Sequence, residues 1–170
     1  KTLEFEGKIW GAPPYTDCLA LFYNTDMFDE AGAEPPKNWN EFKATSIKLT
    51  KRDENGKLTQ SGFTQWNAYE HIFWSFFYQN GGTFVNEDPI QMITSEEAIG
   101  AADFGFRQPY REWEVAALDF YEGWEGFGAG KVAMSINGNW YLGFLDNATE
   151  TNYDVALLPK NKKAASTQGG

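Results

Sequence analysis

The run Leu19-Ala20-Leu21-Phe22-Tyr23 is apolar at every position, so a strand there hides both of its faces. Such a strand belongs inside a sheet with helices on each side. Downstream, Asn38 and Glu41 have the spacing of a capping box, and Trp39, Phe42 and Leu49 recur at helical period. Charged, glycine-containing Lys51 to Lys57 predicts a surface turn, and 62–65 a short strand. His71 to Gln79 predicts an apolar, aromatic helix that stops at Asn80-Gly81-Gly82, and Asn86 to Pro89 a loop. Thr94 and Glu97 repeat the capping-box spacing, with Ala98, Ile99, Ala102 and Phe106 as the expected buried stripe. Gly105 to Pro109 interrupts that helix, because proline inside a helix forces a kink or a break. Tyr110 to Glu125 is rich in Trp, Tyr and Glu and predicts no definite element. Val132, Met134 and Ile136 alternate as in a half-buried strand, then Asn137-Gly138 reads as a tight turn. Trp140 to Asp146 predicts a helix, and Asp154 to Leu158 the last strand. Strands alternating with helices predict an α/β fold whose sheet is mostly parallel and covered by helices.

Length and composition narrow the chemistry. A chain of 170 residues suits one domain, here a single α/β lobe over 1–170. The net charge of −10 argues against nucleic acid, which is held through Lys and Arg on phosphate. No apolar run approaches the ~20 residues of a membrane span, and no leader segment opens the chain. Cys18 stands alone at the start of an apolar stretch and reads as a buried structural thiol. His71 is the only histidine, so neither a zinc site nor a Ser-His-Asp site is expected, and no cofactor is implied. Aromatic residues make up 17% of the chain, which changes the picture. A pyranose offers C–H groups on its face and hydroxyls on its rim, so it calls for a ring flanked by carboxylates and amides. Trp140, between a strand end and a helix start, is the first candidate for such a ring. The competing reading packs it beneath its helix.

Four segments carry a resemblance: Gly7-Lys8-Ile9-Trp10-Gly11-Ala12-Pro13 through Asn24, Phe28-Asp29-Glu30-Ala31-Gly32 through Phe42, Phe127 through Trp140, and Tyr153 through Pro159. In that order they resemble the family 1 extracellular solute-binding proteins, the sugar-capturing subunits of bacterial ABC importers. The resemblance implies a periplasmic-binding-protein-like lobe. Members of that family are longer, so this chain is expected to be the middle portion. It would be mostly the second lobe, without the first lobe and the terminal helices, and 1–17 and 160–170 would cross between lobes in an extended or poorly ordered form. It implies capture of a sugar or oligosaccharide without catalysis, delivery to a membrane permease by the full-length protein, and an extracytoplasmic location, lipid-anchored or secreted. It carries the family's stacking tryptophan onto Trp140.

By the same resemblance Trp66, Tyr69 and Glu70 belong to a ligand-facing loop, while Tyr15, Thr16 and Asp17 face the cleft where the chain changes lobes. Glu70 reads equally well as a solvated carboxylate at a helix start. Asn137 either fixes its turn or faces the ligand, and Trp74 belongs with the core. Apolar surface left uncovered would favour self-association. Two other functions compete. One is a sugar-sensing or adhesion module without transport. The other is a glycoside hydrolase fragment, which would need two carboxyl groups about 5–9.5 Å apart that the sequence does not single out.

Overall fold

The computed structural model describes residues 4–12, 17–64, 70–83, 94–121, 123–147 and 151–166. Its centre is a three-stranded sheet in the order β6-β3-β7, formed by Met134–Gly138, Leu19–Asn24 and Tyr153–Ala156. Two short hairpins lie outside it, β1 (Glu4–Phe5) with β2 (Lys8–Ile9) and β4 (Lys51–Arg52) with β5 (Leu58–Gln60).

The fold is α/β, but the expected parallel pairing is corrected. β3 pairs antiparallel with both neighbours, Leu19 opposite Gly138 on one side and Leu21 opposite Ala156 on the other. β6 and β7, joined through one short helix, do run the same way, as an alternating pattern requires. The much earlier β3 lies between them in the opposite direction, so neither of their ladders is parallel. Among the described residues, parallel contacts are confined to single bridges, Ser61 with Val132 and Asn38 with Lys160. The strand expected at 62–65 is corrected: β5 ends earlier, at Gln60, Ser61 makes only a single bridge and Gly62 to Thr64 form no regular element, while Gln65 lies outside the described residues.

Each element begins where its local chemistry dictates. Asn24 closes β3 and caps α1 (Thr25–Ala31), its side chain accepting from Met27 N–H at 2.9 Å. Gly32 ends that helix at φ 54°, a left-handed conformation that glycine adopts without a side-chain clash. At α2 (Trp39–Lys48) the capping box forms as expected: Asn38 Oδ1 accepts from Glu41 N–H at 3.0 Å, and Glu41 reaches back to Lys37 N–H at 2.7 Å. α3 (Glu70–Gln79) is the aromatic helix.

At α4 (Glu96–Ala102) the cap is Ser95, whose hydroxyl accepts from Ala98 N–H at 3.2 Å, and not Thr94. Ala98 and Ala101 are the buried positions, whereas Ile99, expected inside, is 60% exposed. The helix then widens into a π segment, Asp103–Arg107, in which Gln108 N–H bonds Asp103 C=O five residues back. This wider turn carries the chain directly into α5 (Gln108–Arg111), with Pro109 in its first turn. α6 (Gly123–Gly128) and α7 (Tyr141–Leu145) complete the helices among the described residues.

Alternation along β3 divides the core in two. Leu19 and Leu21 face a large cluster containing Phe28, Phe42, Phe63, Phe76, Phe104 and Ile136. Phe22 faces a smaller one with Phe127, Val132, Tyr141 and Leu145. The segment after β7 is tied down: Lys160 exchanges backbone bonds with Lys37 and Trp39, and Lys163 N–H donates to Gln79 C=O.

Candidate functional site

The β6–α7 junction builds the site. The Asn137-Gly138 pair does not turn; both residues stay in β6, opposite Ala20 and Leu19, and the turn falls at Asn139 and Trp140. Gly138 serves a different need. A Cβ there would lie 1.8–2.3 Å from three ring carbons of Trp140, so glycine lets the indole lie directly against the strand. Trp140 is partly buried and packs on both core clusters. The packing reading holds, and the ring remains partly exposed.

Asp17 is partly buried just before β3. Leu19 pairs with Gly138, so Asp17, two residues before β3 starts, and Trp140, in the turn after β6 ends, leave the same end of the ladder. Asn137 is partly buried, and its Nδ2 donates to Ser135 Oγ at 2.8 Å, which fixes the amide's orientation beside the same strand end. Cys18 corrects the sequence reading, for it is exposed; β3 begins one residue later, so the thiol lies outside the ladder.

One residue here was missed. The hydroxyl of Ser166 accepts from Leu19 N–H at 3.1 Å and donates to Leu19 C=O at 2.9 Å. It clasps the chain two residues from Asp17, and a lone serine in a polar segment carries no sequence signal for that.

Glu70 stands apart as the exposed first residue of α3, its carboxylate 3.9 Å from the imidazole of its neighbour His71. Trp74 is partly buried and packs edge-on against Phe73 and Phe77, as a core residue does. Tyr15, Thr16, Trp66 and Tyr69 lie outside the described residues, as does the loop expected at Asn86 to Pro89.

What this arrangement can do is bounded by its parts. Asp17, Asn137 and Trp140 combine an acceptor, an amide and a flat apolar face, a set suited to a neutral polyhydroxy ligand. Among the described residues no group of three or more His, Cys, Asp or Glu could hold a metal ion, and no helix is long and apolar enough to cross a membrane. A separate groove of about 390 Å³ runs between Gly32 to Lys37 and α2. It is lined by Lys37, Lys48, Glu34 and Glu41 and has no aromatic wall.

Known proteins share both sequence and shape with this chain. A maltooligosaccharide ABC transporter solute-binding lipoprotein of Streptococcus pneumoniae is 27% identical over 188 residues, covering 96% of this chain and 40% of the relative. A solute-binding protein from Thermotoga lettingae, solved with α-D-tagatose, superposes with a TM-score of 0.78 at 28% identity, covering 99% of this chain and 46% of that one. The GacH receptor of Streptomyces glaucescens, solved with and without acarbose, gives 0.77 at 26% identity, covering 99% and 44%. The chain thus spans about 40% of the length of the curated relatives it matches. The family profile described as bacterial extracellular solute-binding protein matches residues 2–170. The chain belongs to that family.

Proposed function

We propose that this chain is the second lobe of a carbohydrate receptor for an ABC importer, and that it holds a neutral sugar or oligosaccharide against Trp140. The observation that carries this reading is the seating of the indole, with glycine beneath it and core on both sides. A ring fixed in that way offers a flat face at little entropic cost, and the Asp17 carboxylate and Asn137 amide, at the same end of the β3–β6 ladder, suit hydroxyl groups. The sugars and oligosaccharides bound by relatives support the ligand class. Tyr15, Thr16, Trp66, Tyr69 and Glu70 are proposed to add further ligand contacts. Lys1 to Asp17 and Lys160 to Gly170 would pass to the first lobe, which would close over the ligand. The ligand is released unchanged to a membrane permease, and the receptor works outside the cytoplasm, secreted or lipid-anchored.

The test is an amide NMR titration of the chain with neutral mono- and oligosaccharides. One lobe supplies one wall, so dissociation constants of about 1 mM, equivalent to ~4 kcal/mol, are expected. Shifts should concentrate at Asp17, Cys18 and Asn137 to Trp140. Saturable shifts centred on the Gly32–Lys48 groove would contradict the assignment.

A further inference from the structure

Among the described residues β7 is an edge of the central sheet, and it leaves Val155 42% and the following Leu157 90% exposed. Thr25 N–H donates to Asn152 C=O at 3.0 Å, which sets the phase of the β3–β7 ladder. Bonded pairs recur at every second residue, at Tyr23 with Asp154 and at Leu21 with Ala156. Val155 therefore turns its N–H and C=O away from β3, toward whatever lies beside the sheet. Its N–H donates to Oδ1 of Asp154 at 2.7 Å, while Oδ2 of the same carboxylate accepts from the Tyr23 hydroxyl at 3.2 Å. Burial first, and the Asp154 charge second, push the Tyr23 phenol above its ordinary range.

Asp154 is also the only charged residue between Thr151 and Pro159. Without it, Tyr153 to Leu158 would be an uncharged apolar window on an open edge, the kind that pairs with another strand. We propose that Asp154 guards this edge against a second copy of the same chain. Antiparallel pairing of two β7 strands centred on Val155 is self-complementary, because each Asp154 then faces the partner copy's residue 156 about a two-fold axis. The carboxylate opposes that pairing twice. It occupies the outward N–H that the partner strand would need, and it places two like charges on one short ladder.

The test is sedimentation velocity over a concentration series. Asp154→Ala frees the N–H and removes the charge, and should strengthen self-association about tenfold or more over the unaltered chain. Asp154→Asn keeps an acceptor for Val155 but loses the charge; being isosteric it preserves the fold, and it should fall between the two. Adding Val155→Pro to Asp154→Ala removes the outward donor without costing a bond to β3, and should restore the monomer, with circular dichroism checking that the sheet persists. Equal association of the Asn variant and the unaltered chain would overturn the proposal. So would a dimer of the Ala variant that survives Val155→Pro.

Discussion

The two faces of the central sheet are packed differently. On the large face, α1 to α3 and the π segment interlock rings from separate elements: Trp39 stacks on Phe104 with centroids 3.8 Å apart, and Phe42 meets Phe63 edge-on at 4.7 Å. A fully buried amide ties this face together, since Gln79 accepts from Trp39 Nε1 at 2.7 Å and donates to Ala165 C=O at 2.8 Å. The small face is closed by α6 and α7 around Phe22, and its rings come chiefly from neighbouring stretches of chain. Among the described residues Trp140 is the one ring packed on both clusters. The contrast separates aromatic residues that build the lobe from the one placed at its boundary, where a ligand can use it.

The largest effect should come from the large face. Phe42→Ala removes a fully buried ring and should cost about 3–5 kcal/mol, read from urea unfolding. Gln79→Ala should cost about 2–3 kcal/mol, because it strips partners from the Trp39 indole and the Ala165 carbonyl together. A loss below that of an exposed substitution would mean the tie between α2, α3 and the 160–166 segment is dispensable.

The small face should respond least at neutral pH. Tyr141→Phe removes a hydroxyl that donates to Trp124 C=O, for about 1 kcal/mol. Its sharper signature is alkaline. Burial pushes the Tyr141 phenol well above its ordinary range, with the Gly128 backbone bond opposing the shift. The unfolded chain therefore releases this proton first. The contribution is full below pH ~10 and is lost as pH climbs toward the folded-state value. Unfolding midpoints should be level to about pH 9 and then fall, less steeply in Tyr141→Phe. Tyr23 and Tyr78, whose phenols are also raised by burial, should keep the remaining slope.

Local chemistry made much of the fold legible before any coordinates. The capping box at Asn38, the aromatic helix ending at Gly81-Gly82 and the doubly buried β3 follow from side chains acting on their near neighbours. What the sequence hid was relational. β3 and β6 are separated by more than a hundred residues, so the antiparallel insertion of β3 leaves no local trace. The cap at α4 is Ser95, one residue later than expected, and the buried stripe falls on Ala98 and Ala101, leaving Ile99 and Ala102 exposed. Pro109 was absorbed by a π segment instead of ending its helix. At the site, the strand–helix junction and its tryptophan were readable. The Asn137-Gly138 pair was misread, because Gly138 answers to the ring of Trp140 across a close contact and not to a turn. The Ser166 clasp on Leu19 spans 147 positions and had no signal.

The most direct test of the boundary role of Trp140 is tryptophan fluorescence of the chain, titrated with whichever saccharide moves the Asp17 and Trp140 amides. The titration is run on the unaltered chain, on Trp140→Ala and on Trp39→Phe. The saturable change should vanish in Trp140→Ala and persist in Trp39→Phe, whose ring belongs to the large face. An unchanged curve in Trp140→Ala, with the fold intact by circular dichroism, would move the ligand elsewhere and leave Trp140 a packing residue alone.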